Sequence, residues 1–258
     1  MNIFQVDAFT SKIFKGNPAA VCPLEKWIST EIMQAIAEEN NLSETVFFVQ
    51  KKHQFEIKWF TPTCEIDLCG HATLAAAHII FSELNYKEEL IEFISNSGVL
   101  TVSKKDSWYT LNFPSEEIKK IETPKTLLKA LNVLIINTYQ GKWKLLVELE
   151  DEETIKNLAP NFSKLCELDS LGIIVTAKGN KVDFVSRFFA PKIGINEDPV
   201  TGSAHTLLIP FWAQKLKKNK LEASQLSKRT GFLKCKYLNN RVEMSGQAIT
   251  FLKGKATI

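Results

Sequence analysis

One pattern occurs twice in this chain, and it constrains the possible fold more than any other feature. The first copy runs from Phe60-Thr61-Pro62 to Cys69-Gly70-His71-Ala72 and into an alanine-rich stretch through His78. The second runs from Phe189-Ala190-Pro191 to Thr201-Gly202-Ser203-Ala204 and into an apolar stretch through Trp212. Each passes through a short acidic loop to glycine, one polar residue and alanine, then opens a hydrophobic helix. His71 and Ser203 hold matching slots. Such a chain presents two helix N-termini, whose unsatisfied N–H groups and positive partial charge attract anions. A site between them that grips a carboxylate is the expectation.

The length of 258 residues accommodates two units of ordinary domain size, each able to bury a core. A net charge of +3 is too small to imply a nucleic-acid or membrane partner. Arginine, the favoured bidentate clamp for carboxylates, occurs only at 187, 229 and 241. Backbone amides are therefore expected to do most of the anion binding. The cysteines at 22, 64, 69, 166 and 235 are odd in number and show no CxxC spacing. The opening Asn2-Ile3-Phe4-Gln5-Val6 reads as a strand rather than a signal peptide, so a reduced, cytoplasmic chain is expected.

Residues 2–9 read as a strand, Gly16-Asn17-Pro18 as a loop and 19–22 as a short apolar strand. Helical spacing follows over 30–40 with Thr30 as N-cap, then strands near 44–50 and 54–60. The stretch 70–84 is apolar nearly all round, which marks a buried helix. Three strands are expected at 90–95, 98–104 and 107–113. Charge and proline over 114–124 mark a boundary, giving halves 1–114 and 115–258, the terminal strand being able to cross back to the first. The second half reads as strands near 132–139 and 143–149, helical stretches at 151–166, strands at 171–177 and 181–189, a second buried helix at 202–216 and three closing strands near 230–255. Lys215 to Lys236 carries one acidic residue, Glu222, among many basic ones, and reads as a solvated helix end and loop rather than a nucleic-acid patch. The fold class is α+β: two pseudo-symmetric halves, each a mostly antiparallel sheet or barrel around a central buried helix. Consecutive strands without intervening helices exclude a βαβ Rossmann chain, and no nucleotide-phosphate loop occurs.

Five stretches carry a resemblance. They are Val6-Asp7-Ala8-Phe9-Thr10 with Gly16-Asn17-Pro18-Ala19-Ala20-Val21; Asn41-Leu42-Ser43-Glu44-Thr45; Asp67-Leu68-Cys69-Gly70-His71-Ala72-Thr73; and Glu197-Asp198-Pro199-Val200 with Thr201-Gly202-Ser203-Ala204-His205. In this order the chain resembles the PhzF, phenazine biosynthesis-like, family of the diaminopimelate-epimerase-like fold. The resemblance implies a site in the cleft between the halves, no cofactor, a homodimer, and isomerase chemistry by proton transfer on a small carboxylate-bearing substrate. It places catalytic roles on Glu44, His71 and Asp198, and substrate binding on Asn17, Gly70, His71, Ala72, Gly202 and Ser203. Related epimerases use two cysteines, one per half. Cys69 lies at or beside the first position, and Asp198-Pro199-Val200 offers none at the second, so a symmetric two-thiol mechanism is excluded.

The residues themselves leave alternatives open. Glu44 before the apolar Val46-Phe47-Phe48-Val49 suits a partly desolvated proton shuttle, yet most glutamates are solvated surface groups. His71 in a first helical turn could face a cleft and exchange protons, or could cap or pack. His78, among alanines, reads as a satisfied core residue. Asp198 before proline and Ser203 as N-cap form an ordinary loop-to-helix start, or an anion site. Cys69 with His71 could make a one-thiol enzyme, although a free cysteine is more often a small buried apolar group. No metal is expected, because the spacing of Cys64, Cys69, His71 and His78 is irregular for zinc. An amino-acid racemase or epimerase, or a non-catalytic small-ligand-binding protein, remains a different reading of the same residues.

Overall fold

The computed structural model describes all of residues 1–258, and its contacts divide the chain into two compact units. The first comprises Met1–Asn112 with Met244–Ile258, the second Phe113–Glu243. No helix is long and apolar enough to cross a membrane.

The first unit is built on β1 (Asn2–Ala8), β2 (Asn17–Leu24), β3 (Glu44–Lys51), β4 (Gln54–Phe60), β5 (Glu65–Ile66), β6 (Leu90–Ser95), β7 (Gly98–Lys105) and β8 (Trp108–Pro114). β1 pairs antiparallel with β2, β2 parallel with β3, β3 antiparallel with β4, β4 parallel with β6, and β6 antiparallel with β7. The late strand β18 (Ala248–Lys255) returns to pair with β1. Helix α1 (Thr30–Asn40) lies between β2 and β3 in sequence. Its N-cap is Ser29, whose Oγ accepts from the Ile32 N–H, not the Thr30 anticipated from sequence. Ser29 holds extended dihedrals while Thr30 is already helical, and only an extended residue can turn its side chain back onto the first turn.

Helix α2 (Gly70–Glu83) has every residue from Gly70 to Ala77 buried. Its run of small side chains lets strands approach from several sides, so the helix sits in the core of its unit rather than on a face.

The second unit repeats the plan. β9 (Lys119–Ile121), β10 (Ile135–Gln140), β11 (Lys144–Leu149), β12 (Gly172–Lys178), β13 (Phe184–Ala190), β14 (Ile195–Asp198), β15 (Lys220–Gln225) and β16 (Gly231–Tyr237) are its strands. β10 pairs antiparallel with β11, β11 parallel with β12, β12 antiparallel with β13, β13 parallel with β15, and β15 antiparallel with β16. This is the pairing sequence of the first unit. Helix α6 (Gly202–Leu216) takes the place of α2 and is likewise buried along most of its length. Pro210 lies inside it and cannot donate to Thr206, whose carbonyl instead accepts the Glu116 N–H at 3.0 Å.

The helical stretches expected over 151–166 are α4 (Glu152–Asn157) and α5 (Phe162–Cys166), separated at Pro160. Two local expectations are corrected. Another helix, α3 (Lys125–Leu131), precedes β10, with Leu127, Ala130 and Leu131 buried. The basic stretch 215–236 is not loop: it contains β15 and most of β16. Lys220 and Glu222 point outward while Leu221 and Ala223 are buried, a period-2 alternation concealed by the count of lysines.

Candidate active site

In the first unit three element ends converge. Gly16 turns the chain into β2 at φ +64°, where a β-carbon would stand 2.1 Å from the Ala8 carbonyl oxygen, so glycine is required. That turn delivers Asn17 to the head of β2. The parallel pairing of β2 with β3 sets Ala19 opposite Glu44, bringing the head of β3 alongside. The N-terminus of α2 supplies Cys69 and His71.

The side chains meet there. His71 Nε2 lies 2.9 Å from Glu44 Oε2. On the other side of the ring, Nδ1 is 3.1 Å from Asn17 Nδ2 and 3.5 Å from Cys69 Sγ. All four residues are buried. Of the two readings left open for His71, a cleft-facing ring and a packed one, the ring is enclosed: packing of α2 within its unit draws the first turn inward, and the pair with Glu44 offsets the desolvation. Burial alone would depress the His71 pKa, but the Cys69 sulfur and the Glu44 carboxylate outweigh it and hold the ring's pKa well above its ordinary value. Burial, with the Glu44 charge adding to it, pushes the Cys69 thiol up against the opposing pull of His71. These shifts favour a protonated His71 ring beside a neutral Cys69 thiol. Cys69 is the N-cap of α2 but makes no side-chain cap bond, so the helix start is not closed by its own sequence.

In the second unit, α6 begins with Thr201 as N-cap, again without a side-chain cap bond. Ser203, expected at that position, sits one residue inside the helix and is exposed. Thr201 turns its hydroxyl back to Asp198 Oδ2 at 2.5 Å. Gln225, fully buried at the end of β15, locks the turn: its Oε1 accepts the Thr201 N–H at 2.9 Å, and its Nε2 donates to the Asp198 carbonyl at 2.8 Å and to Thr201 Oγ1 at 3.1 Å. His205 Nδ1 bonds the Thr201 carbonyl at 2.8 Å, so Nδ1 carries the proton, and burial holds its pKa down at about 4.

Other candidates are structural. His78 has both ring nitrogens partnered, by Tyr109 Oη and Thr250 Oγ1 at 2.9 Å each. Cys64 is exposed among Thr61 and Thr63, apart from the cluster. Arg187 is engaged by Glu197 at 2.7 and 3.0 Å and by the carbonyls of Ile155 and Leu158. Sequence reasoning named Glu44, His71, Asn17 and Asp198 but missed Gln225 and the role of the Thr201 side chain. Gln225 lies in the stretch read as loop, and nothing local marks its contact with a turn 24 residues upstream.

The doubled architecture defines the class of fold, and comparison with known proteins agrees on that fold. The phenazine biosynthesis-like protein family model matches residues 6–254. An uncharacterized isomerase of Pseudomonas aeruginosa is 46% identical, covering 98% of this chain and 98% of that protein. A crystal structure of a phenazine biosynthesis protein of the PhzF family from Enterococcus faecalis superposes with a TM-score of 0.98 at 49% identity, covering 100% of this chain and 99% of the other. A hydroxyproline epimerase from Agrobacterium vitis, 8% identical with a TM-score of 0.63 over 98% of this chain and 91% of that one, shares the fold alone. The chain belongs to the PhzC-PhzF, phenazine biosynthesis-like, family.

Proposed function

We propose that this protein is an isomerase that moves a proton on a small carboxylate-bearing metabolite without a cofactor. The observation that carries the reading is the buried Glu44–His71 pair at 2.9 Å, because a carboxylate held by an imidazolium next to an uncapped helix start has the parts an acid–base shuttle needs. Glu44 takes a proton from a carbon activated by a neighbouring carbonyl or unsaturated system. The electron pair passes into that system, and Glu44 returns the proton at another carbon, so the net change is an isomerisation. As Glu44 becomes neutral, the His71 imidazolium stabilises the negative charge developing on the substrate. Asn17, whose amide lies 3.1 Å from Nδ1, borders the ring and binds the substrate. The amides of Gly70, His71 and Ala72, and those of Gly202 with Ser203, bind substrate oxygens, and Asp198 receives a substrate amine or hydroxyl. This reading also carries a homodimer working in the cytoplasm, with no nucleic-acid or membrane partner; light scattering tests the assembly.

The 3.5 Å approach of Cys69 Sγ to His71 Nδ1 favours one competing reading, a one-thiol racemase or epimerase. Burial pushes that thiol away from its reactive thiolate form, which ranks it second. Deuterium wash-in from heavy water, with amino acids and dihydroaromatic carboxylates read by mass spectrometry, separates the two. Exchange by wild type and none by Glu44→Gln is the expected result. Exchange that survives in Glu44→Gln and vanishes in Cys69→Ser transfers the chemistry to the thiol.

A further inference from the structure

We propose that a crevice over the C-terminal half of α6 is a binding site for a primary alkylammonium ion, whose charged end takes the place that Lys215 of the same helix otherwise fills. All of its lining residues belong to the second unit, and its volume is about 1060 Å³, at the top of the ~300–1,000 Å³ usual for small-molecule sites. Tyr139, Phe211 and Tyr237 supply its aromatic walls. Its most deeply buried charge is Glu148 of β11, with a side chain 5% exposed. Glu148 Oε2 accepts from Asn137 Nδ2 at 2.9 Å, and Oε1 meets Lys215 Nζ. The same Nζ lies 5.3 Å from the centroid of the Trp212 ring and 5.6 Å from that of Phe211. The Tyr139 ring meets Phe211 edge-on, with centroids 5.2 Å apart.

A carboxylate taken so far out of water requires a cation beside it. Stability alone does not account for the pair, since apolar residues of similar volume in its place are often neutral or stabilising. The cation that supplies the charge is on a side chain 44% exposed, so it can turn out to solvent. A positive charge set against a carboxylate and within about 6 Å of aromatic faces is the arrangement by which proteins recognise organic ammonium ions. Lys215 thus marks the position, and shows that a primary ammonium on a straight hydrocarbon stem fits it. An anion is excluded there by the Glu148 charge and by the negative faces of the rings. The exchange replaces one ammonium by another, so Glu148 stays paired, no covalent bond forms or breaks, and the Lys215 head becomes hydrated. The hydrocarbon body of the ligand lies along Phe211, Tyr139 and Tyr237. The site does not depend on the reaction proposed for Glu44 and His71, which belong to the first unit.

The probe is n-butylammonium chloride, with sodium chloride at equal concentration as the control for ionic strength. Saturation-transfer NMR should detect its binding to wild type and lose it in Glu148→Gln. Lys215→Ala removes a tethered competitor whose effective concentration is on the order of millimolar, so this variant should bind the probe at least ~10-fold more tightly. Because Lys215→Ala also leaves Glu148 unpaired, the probe should raise its melting temperature saturably, and should not do so for Glu148→Gln combined with Lys215→Ala. Should Lys215→Ala not fold, Lys215→Gln, which keeps part of the stem without its charge, serves in its place. No binding to wild type, wild-type binding that Glu148→Gln leaves unchanged, or affinity in the Lys215 variant no greater than in wild type overturns the proposal.

Discussion

Helices α2 and α6 start in the same way and are furnished differently. Each begins after an N-cap residue that makes no cap bond, and each is buried within its own unit. Strand register allows a residue-by-residue comparison. β3 pairs with β4 as Thr45 opposite Phe60, and β12 pairs with β13 as Ile173 opposite Phe189, so Gly172 holds the position of Glu44. A β-carbon on Gly172 would meet the Phe188 ring at 2.3 Å. One unit thus keeps a carboxylate at the strand head, and the other fills that volume with an aromatic ring. In the second unit the polar side chains turn instead on Thr201, which Gln225 and Asp198 hold in place. A repeated backbone survives because its pairing depends on main-chain hydrogen bonds and buried apolar faces, whereas chemistry requires only a few side chains and is free to differ.

The largest effect expected is on Glu44. Glu44→Gln should reduce isotope exchange by roughly 10³-fold or more, within the range attributed to a general acid–base group, and wild-type exchange in that variant would remove the distinction between the units. His71→Asn should come next, lowering exchange by about 10²-fold and stability by about 3–5 kcal/mol, since it strands a buried carboxylate; urea unfolding reads the second quantity. In the second unit Gly172→Glu tests whether the missing carboxylate can be restored. It should destabilise by about 1–3 kcal/mol through overpacking against Phe188 and should not rescue Glu44→Gln. Gln225→Leu should cost about 1–3 kcal/mol by leaving the Thr201 N–H unsatisfied, and should weaken ligand binding more than Gln225→Glu, which keeps one acceptor.

The smallest effects are on pH dependence, and they carry opposite signs in the two units. His71 has its pKa raised, so its stabilisation is complete below its ordinary value near 6.5 and fades as pH rises through the raised value. His205 is held to about 4, so its stabilisation is present above 6.5 and fades as pH falls toward and through that value. The advantage of wild type over His71→Asn in urea midpoint should therefore shrink as pH rises beyond about 6.5. The margin over His205→Gln should shrink from about pH 7 to about pH 4. His78, also held to about 4, is common to every protein compared and cancels.

Much of this molecule was legible before its structure. The doubled motif, the two helices apolar on all sides and the strands flanking them follow from spacing alone, because side-chain periodicity reports directly on the local element. Glu44 and His71 stood out as residue types at element starts, and family resemblance gave them roles. What spacing could not contain was their meeting. Asn17 and His71 are 54 residues apart in sequence, and only the parallel pairing of β2 with β3 around the buried start of α2 brings them and Glu44 into one cluster. The same holds for Gln225 at Thr201 and for the Phe188 ring that fills the space at Gly172. Local sequence determines which face of an element is apolar; long-range strand pairing decides which polar ends are brought together, and so which protons they can hold.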